Sequence, residues 1–341
     1  MKRLTVAIPC YNSEPYMKKA IDSLIPGGED LEILIIDDGS TKDHTLEIAR
    51  SYEKLYPGII RVIHQPNKGH GGAVNTAVHE ATGLYFKVVD SDDWVDSKVL
   101  LRVIKRLKFL EEKNTPIDML LTNFVYDKEG AWRKNVMQFR RAFPQNRIIS
   151  WDDMGHLRQT QYILMHNIIY RHDVLIRSGL RLPIHTFYVD NIFAFQPLPY
   201  CEKFYYMDVN LYHYAIGRED QSVNEQVMIG RIDQQIRVNK LMIDIFTDQN
   251  WSGLDKNVRK YMMIYLNKIM TVTSILLLVG GTEEDYEKKR DLWGYLKRKN
   301  DKLYIRLRMS FLGMWINLPV PVAKKTTVKG YKVVRKFIHF N

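Results

Sequence analysis

Short apolar segments rich in β-branched residues alternate with amphipathic stretches over the first 95 residues of this 341-residue chain. Such alternation is typical of β-α-β units, which build a mostly parallel sheet covered by helices. Between the apolar segments, hydrophobic residues recur at helical spacing, and Ser13 and Asp43 are placed to cap the first two helices. The predicted strands are residues 4–8, 31–36, 59–63 and 84–89.

A polar segment follows each predicted strand. In open α/β sheets, ligands bind beyond the carboxyl ends of the strands, so these segments are expected to line one crevice. They read Pro-Cys-Tyr-Asn from residue 9, Asp-Asp-Gly-Ser from residue 37, Asn-Lys-Gly-His-Gly-Gly from residue 67 and Asp-Ser-Asp-Asp from residue 90.

The last of these segments carries three carboxylates, Asp90, Asp92 and Asp93. Carboxylates this close repel one another unless a cation or hydrogen-bond donors offset their charge. Oxygen ligands suit Mg²⁺ or Mn²⁺, and no cluster of Cys and His in the sequence indicates zinc. The segment therefore predicts a divalent metal site.

The other polar segments also have purely structural interpretations. Asp-Gly-Ser is ordinary turn chemistry, and the glycines of residues 67–72 would let a helix pack closely. Two nucleotide-binding motifs are excluded: Val74 occupies the last glycine position of a dinucleotide fingerprint, and no P-loop sequence occurs.

Considered together, residues 6–12, 35–41, 67–75 and 89–93 resemble glycosyltransferase family 2, whose members have a GT-A fold. The resemblance covers about the first 220 residues. It implies an α/β, Rossmann-like catalytic domain with a mostly parallel sheet. It also implies a nucleotide-diphospho-sugar donor, usually linked to uridine.

The resemblance assigns roles to individual residues. Pro9 and Tyr11 would lie beside the base and Asp38 would contact uracil or ribose. Asp90-Ser91-Asp92 would be the D-x-D motif that holds Mn²⁺ or Mg²⁺, with Asp92 the main ligand and the role of Asp93 open. The expected donor-binding residues are Pro9, Tyr11, Asn12, Asp38, Asn67, Lys68, Gly69, Asp90, Ser91 and Arg218.

Two positions depart from the family pattern. Val74 replaces a frequent Arg, so Lys68 or His70 is expected to take over its contact with the donor. In residues 187–193, Val189 replaces the usual Glu, but Asp190 remains as the implied catalytic base. Without the resemblance, a helix N-cap is the favoured interpretation of Asp190.

The resemblance further implies that His213 completes the metal shell and that Arg218 meets phosphate. Asp190 would then take a proton from an acceptor hydroxyl in a single displacement with inversion, while the metal neutralises the leaving group. The expected acceptor is a cell-surface glycan or a lipid-linked molecule. A basic stretch has two interpretations, a contact surface for an anionic acceptor or an ordinary solvated surface. It contains Trp132, Arg133, Lys134, Arg140, Arg141 and Arg147.

The predicted domains are a GT-A domain over residues 1–220 and a helical extension over residues 221–341. The first divides into a nucleotide-sugar half, 1–95, and an acceptor half, 96–220. Within the extension, residues 264–281 are the most apolar stretch. Because Asn267 and Lys268 interrupt that stretch, it is predicted to be a buried helix and not a membrane span.

The formal charge is +11, and residues 302–341 hold nine basic residues and no acidic one. Their interleaved aromatic residues predict contact with an anionic membrane surface, the alternative being a solubilising tail. No nucleic-acid module is recognisable in the sequence. Two cysteines, read as buried thiols, and the absence of a visible secretory signal favour a cytoplasmic protein, peripheral at the inner face of the cell membrane.

Two other functions stay open. A nucleotidyltransferase would also use an α/β fold and Mg²⁺, but the loop after the first strand lacks the Gly-rich, basic character of that class. A non-catalytic sugar-nucleotide-binding or membrane adaptor protein would need no base. The presence of Asp190 weighs against that alternative, whereas Val74 and Val189 keep it open.

Overall fold

The computed structural model describes residues 2–128, 134–157, 161–217 and 224–318. The chain divides into two compact units, Met1–Ile216 and Gly217–Asn341. The domain boundary predicted at residue 220 lies outside the described residues.

The first unit is built on one mixed sheet. Its strands are β1 Leu4–Cys10, β2 Leu31–Asp37, β3 Ile60–His64, β4 Tyr85–Val88, β5 Trp94–Val95, β6 Met119–Lys128, β7 Asn135–Met137, β8 Ile148–Ile149, β9 Ile168–Arg171 and β10 Phe204–Ile216. The order is β3-β2-β1-β4-β9-β6-β10-β5, with β7 on β6 and β8 on β10. Neighbours among β1 to β4 are parallel, as are β6 and β10, whereas β9 is antiparallel to both β4 and β6.

Six helices accompany this sheet: α1 Met17–Leu24, α2 Thr45–Leu55, α3 Gly69–Glu80, α4 Ser97–Glu112, α5 His172–Arg177 and α6 Asp190–Phe195. Helix α1 shows why they form, because Met17, Ile21 and Leu24 recur at helical spacing and are fully buried against the sheet. The four predicted strands are confirmed to within one or two residues.

The predicted helix caps are wrong. The N-cap residues are Tyr16 for α1 and His44 for α2, and neither caps its helix through a side chain. The Ser13 hydroxyl instead accepts the Tyr11 N–H, because Ser13 belongs to the turn that follows β1. Asp43 lies one residue before the cap, where its carboxylate accepts from Glu14 and Thr45 N–H groups.

The described part of the second unit consists of helices, as predicted: α7 Glu225–Gly230, α8 Ile232–Asp248, α9 Lys256–Gly280, α10 Glu283–Lys299, α11 Asp301–Arg308 and α12 Phe311–Ile316. Helix α9 is long and apolar enough to cross a membrane by length and composition, but 61% of its most apolar window is buried. Core helices of soluble proteins pass the same test. Its burial within the unit agrees with the predicted buried helix.

Candidate active site

The polar segments after β1, β2 and β4 meet at one edge of the sheet. The Asn12 N–H donates to the Ser40 hydroxyl at 2.9 Å, and the Ser13 and Ser91 hydroxyls are 2.8 Å apart. The Asn12 side-chain oxygen also accepts from the Thr41 N–H. These contacts arise because parallel strands bring their carboxyl ends to the same side. The predicted meeting of these segments at one edge of the sheet is therefore observed.

Asp38 is almost fully buried, 2% exposed, at the end of β2. Its Oδ1 accepts from the Gln65 side-chain amide at 2.6 Å and from the Lys68 N–H at 2.9 Å. Its Oδ2 is buried and has no hydrogen-bond partner among the described residues. Because an unsatisfied buried acceptor is costly, this oxygen is a candidate contact for a ligand N–H or O–H group.

Other predicted donor contacts lie around this carboxylate with varied exposure. Pro9 is buried within β1, whereas Tyr11 is 50% exposed. Asn67 and Lys68 are exposed at the start of the Gly-rich turn. Arg218 lies outside the described residues.

Asp90 pairs with His70, which was predicted only to replace the donor contact of the arginine that is Val74 in this chain. Its Oδ1 lies 2.8 Å from His70 Nε2. Burial opposes protonation of His70, but the carboxylates of Asp90, Asp190 and Asp92 outweigh burial and raise the His70 pKa. The pKa of Asp90 is lowered, because His70 and other nearby cationic groups outweigh its burial.

Asp93, whose role the sequence left open, anchors the turn to β10. The Tyr212 hydroxyl donates to its Oδ2 at 2.5 Å and the Ala215 N–H donates to its Oδ1 at 2.8 Å. The same Tyr212 oxygen accepts the Asp90 N–H at 3.3 Å. Burial and the neighbouring carboxylates of Asp92 and Asp90 raise the Asp93 pKa well above its usual value. Asp93 does not cap the helix that follows it, because the N-cap residue of α4 is Asp96.

His166 joins these carboxylates from a 3₁₀ turn, Met165–Asn167, that precedes β9. Ligand atoms of Asp90, Asp93 and His166 all lie within 4.8 Å of one another. Burial lowers the His166 pKa to about 4, so its imidazole is neutral at pH 7 and able to coordinate a metal. Carboxylate oxygens and one imidazole nitrogen suit a divalent ion such as Mn²⁺.

Sequence reasoning missed His166 because no motif surrounds it. Buried Lys87 on β4 holds its turn in place by donating to the His166 carbonyl at 2.7 Å. The ring also lies 4.7 Å from that of Tyr214, measured between centroids. The pairing of β9 with β4 and β6 is what brings this residue to the site.

His213, the predicted third metal ligand, is not in this group. Its Nδ1 lies 2.9 Å from the Asp127 carboxylate, and its ring stacks on Trp94 at 5.3 Å. Side chains alternate between the faces of a strand, and its neighbours Tyr212 and Tyr214 both approach His166. Metal ligation by His213 stays a prediction, and His166 is the histidine that accompanies the carboxylates.

Asp190 is the first residue of α6, and Val189 occupies the N-cap position. Burial, opposed by His70 and assisted by Asp90, raises the Asp190 pKa to about 6. Tyr188, two residues earlier, has a φ of 65°, a left-handed conformation that bulky residues rarely adopt. Strain of this kind persists where surrounding contacts fix the backbone, and it is frequent at functional sites.

The loop that leads to Asp190 packs on the Gly-rich turn. The Asn75 side chain bonds both backbone groups of Leu182, donating at 2.8 Å and accepting at 2.9 Å. A Cβ at Gly69 would lie 3.0 Å from the His185 backbone, and one at Gly71 would lie 2.6 Å from the Pro183 carbonyl oxygen. The glycines therefore permit the close packing that brings the two segments together.

The predicted basic stretch is largely neutralised where it is described. Lys134 pairs with Asp127, Arg140 with Asp208 and Arg147 with Asp153. Trp132 and Arg133 lie outside the described residues. These ion pairs favour the interpretation of a solvated surface over that of an anion-binding one.

Residues 5–171 match a model of the family described as Glycosyl transferase family 2. Residues 5–171 therefore belong to this family. A curated member that resembles it is the uncharacterized glycosyltransferase EpsJ of Bacillus subtilis, 31% identical over 218 residues, which are 62% of this chain and 60% of EpsJ. The chain thus spans less than two thirds of the length of that relative.

Solved structures of other glycosyltransferases resemble the whole fold. S. aureus TarS in complex with UDP-GlcNAc has a TM-score of 0.70 and 18% identity, covering 99% of this chain and 91% of that one. The mannosyltransferase PcManGT from Pyrobaculum calidifontis, in complex with GDP-Man and Mn²⁺, has a TM-score of 0.51 and 16% identity, covering 93% and 88%. The predicted GT-A fold of this family 2 member is confirmed.

Proposed function

We propose that this family 2 protein is an inverting, metal-dependent glycosyltransferase that moves a sugar from a UDP-linked donor to an acceptor hydroxyl. The observation that carries the proposal is the convergence of Asp190 with the Asp90–His70 pair at one edge of the sheet. Asp190, the proposed proton acceptor, thereby lies beside Asp90 and His70, which are suited to hold a diphosphate and its metal.

The nucleotide is proposed to meet Asp38. Its unpartnered Oδ2 offers a buried acceptor to an N–H of uracil or a ribose hydroxyl. The UDP-GlcNAc bound to TarS supports a uridine donor. Lys68 and Asn67, exposed beside the same carboxylate, are proposed to contact the phosphates.

Asp90 and Asp92 are the proposed metal ligands, with His166 and Asp93 as further candidates from the same group. Mn²⁺ in PcManGT supports a divalent metal here. Once bound, such an ion would neutralise the charge that develops on the departing diphosphate. His70 helps to keep Asp90 ionised, and Tyr212 fixes the backbone of the Asp90 turn.

Asp190 is the proposed general base. A carboxyl whose pKa is about 6 is ionised at pH 7 yet basic enough to take a hydroxyl proton in the transition state. Because only one such carboxylate serves the acceptor, a single displacement with inversion is the matching stereochemistry.

The test is a panel of uridine-, guanosine- and thymidine-diphospho-sugars, each incubated with Mn²⁺ or with a chelator. We expect metal-dependent binding and slow hydrolysis of a uridine donor, with a nucleoside diphosphate as product. Pyrophosphate release from a nucleoside triphosphate would favour the nucleotidyltransferase. Failure of every donor to bind would favour the non-catalytic adaptor.

An Asp38→Asn variant should weaken uridine-nucleotide binding roughly 10–100-fold. Gln65 and Lys68 both donate to Oδ1, so the new amide nitrogen is forced to the Oδ2 position, where it opposes a ligand donor. Calorimetric titration with UDP measures the change. Asp22→Asn is the matched control, because the exposed Asp22 carboxylate accepts from the Tyr52 hydroxyl and has no contact with the Asp38 turn. Equal losses in both variants would contradict the role of Asp38.

The acceptor is proposed to be a cell-surface glycan or a lipid-linked molecule, reached from the cytoplasmic face of the membrane. Residues 319–341 of the basic tail lie outside the described residues. Deletion from residue 302 would remove Leu303, Leu307 and Ile316, which are buried in the second unit. Truncation after Leu318 is therefore the cleaner test of membrane contact.

That truncation removes six of the nine basic residues of the tail and spares every described helix. At about 1 kcal/mol for each basic residue near an anionic surface, it should release the protein from vesicles containing phosphatidylglycerol. Co-sedimentation measures release, with neutral vesicles as the control. Unchanged sedimentation would refute the proposed membrane contact.

A further inference from the structure

The second unit contains a cationic cavity of about 240 Å³ that no part of the proposed reaction uses. Helices α10 and α11 supply most of its lining. Four of the lining residues are basic and two are aromatic: Lys289, Arg290, Lys297, Arg308, Trp293 and Tyr304. Among the described residues, no acidic one lines it.

Three of these four cations have no carboxylate partner among the described residues. Among the described residues, no carboxylate oxygen lies within 4.0 Å of the side-chain nitrogens of Lys289, Lys297 or Arg308, and Arg290 reaches only the exposed Glu287 at 3.6 Å. Burial and the Arg308 charge together lower the Lys289 pKa to about 8. The cavity therefore concentrates positive charge, of which the described residues offset only that of Arg290, through Glu287.

Other lysines of the same helix are treated differently. Lys288, the neighbour of Lys289, has Asp233 and Glu284 both at 2.8 Å. Lys299 pairs with Asp244 at 2.7 Å. Helix α10 thus carries lysines with carboxylate partners beside the two lysines, Lys289 and Lys297, that line the cavity.

Two of the side chains around the cavity are held in place. Lys289 Nζ donates to the Asn317 side-chain oxygen at 3.1 Å, and the Trp293 indole N–H donates to the Ser274 hydroxyl at 3.1 Å. The Lys297 and Arg308 charges lie 5.7 and 5.9 Å from the centre of the Tyr304 ring. The hydrogen bonds fix Lys289 and Trp293, whereas Arg290, Lys297 and Arg308 are exposed to solvent around the same space.

We propose that this cavity binds a phosphate group. Arginine and lysine donate charge-assisted hydrogen bonds to phosphate oxygens, and a cavity of 240 Å³, about eight water volumes, has room for the group and part of what it is attached to. The phosphate belongs to a soluble phosphate ester or to a phospholipid head group. The proposal concerns the second unit alone and stands independently of the proposed transfer reaction.

Calorimetric titration of the full chain with inorganic phosphate and with glycerol 1-phosphate tests the proposal, with chelator present and chloride held at equal ionic strength. We expect saturable binding that weakens about tenfold or more in Lys297→Gln/Arg308→Gln, because two charged donors are lost. The control variant Lys256→Gln/Lys260→Gln removes the same charge from exposed residues that do not line the cavity, and should bind as wild type does. Arg308→Lys should retain most of the affinity.

Thermal unfolding gives a second readout. Without phosphate, Lys297→Gln/Arg308→Gln should melt at a higher temperature than wild type, because the repulsion among the cations is relieved. Phosphate should raise the melting temperature of wild type and of the control, but not of this variant. Absence of saturable phosphate binding by wild type, or equal losses in both double variants, would overturn the proposal.

Vesicles containing phosphatidylglycerol distinguish the two sources of phosphate. If the cavity takes a lipid head group, Lys297→Gln/Arg308→Gln should bind vesicles more weakly than the control variant. If it takes a soluble ester, both variants should bind vesicles alike while differing in the titration.

Discussion

An Asp190→Asn variant should transfer sugar about 10²–10⁴-fold more slowly than wild type, with donor binding nearly unchanged. The amide keeps the shape of the side chain but has no basic oxygen that can accept the proton of an acceptor hydroxyl. Donor binding is proposed to depend on Asp38 and Asp90, so it should be retained. Initial rates with a saturating donor, together with calorimetric titration of UDP, measure both effects.

The environment of Asp190 predicts how the rate of the same reaction changes with pH. Burial favours the protonated carboxyl and raises its pKa to about 6, while the base must be ionised to act. The value of kcat/KM should therefore fall as the pH drops through about 6 and level off above it. An Asp173→Asn variant, altered in an exposed carboxylate on α5, should keep this profile. An active Asp190→Asn enzyme would remove Asp190 from the role of base.

The second large effect is expected for Asp92→Ala. A metal ion supplies several kcal/mol of charge stabilisation in reactions of this type, so turnover of the donor should fall by about 10³-fold or more. Wild type treated with a chelator should show the same residual rate as the variant, and added Mn²⁺ should restore only wild type. A variant that still responds to Mn²⁺ would shift metal binding to Asp90, Asp93 and His166, whose ligand atoms already lie together.

The first four strands and the edge where their polar segments meet were predictable because their signals are local. An apolar run followed by Asp-Asp-Gly-Ser or Asp-Ser-Asp-Asp indicates a strand end whichever residues surround it later. The same locality explains the helices of the second unit, where apolar residues recur at helical spacing over α8 and α9. Such patterns need no knowledge of which segments pair.

The rest of the site depends on contacts between distant segments. His166 enters through the antiparallel pairing of β9, and no periodicity in the sequence reveals which strands that segment will join. His213 and Tyr212 are adjacent in sequence but lie on opposite faces of β10, and Tyr212 is the one that contacts Asp90 and Asp93. The ion pairs of Lys134 with Asp127 and of Arg140 with Asp208 likewise depend on which strands pair in the sheet.

The clamp between Asn75 and Leu182 has a consequence for engineering. Residues 67–75 and 182–190 are shaped to fit each other. A side chain at Gly71 would overlap the Pro183 carbonyl, and one at Gly69 would crowd His185. A chimera that takes residues 182–190 from another glycosyltransferase must therefore take the matching residues 67–75 as well. Swapping either half alone would pair a loop with a surface shaped for a different backbone.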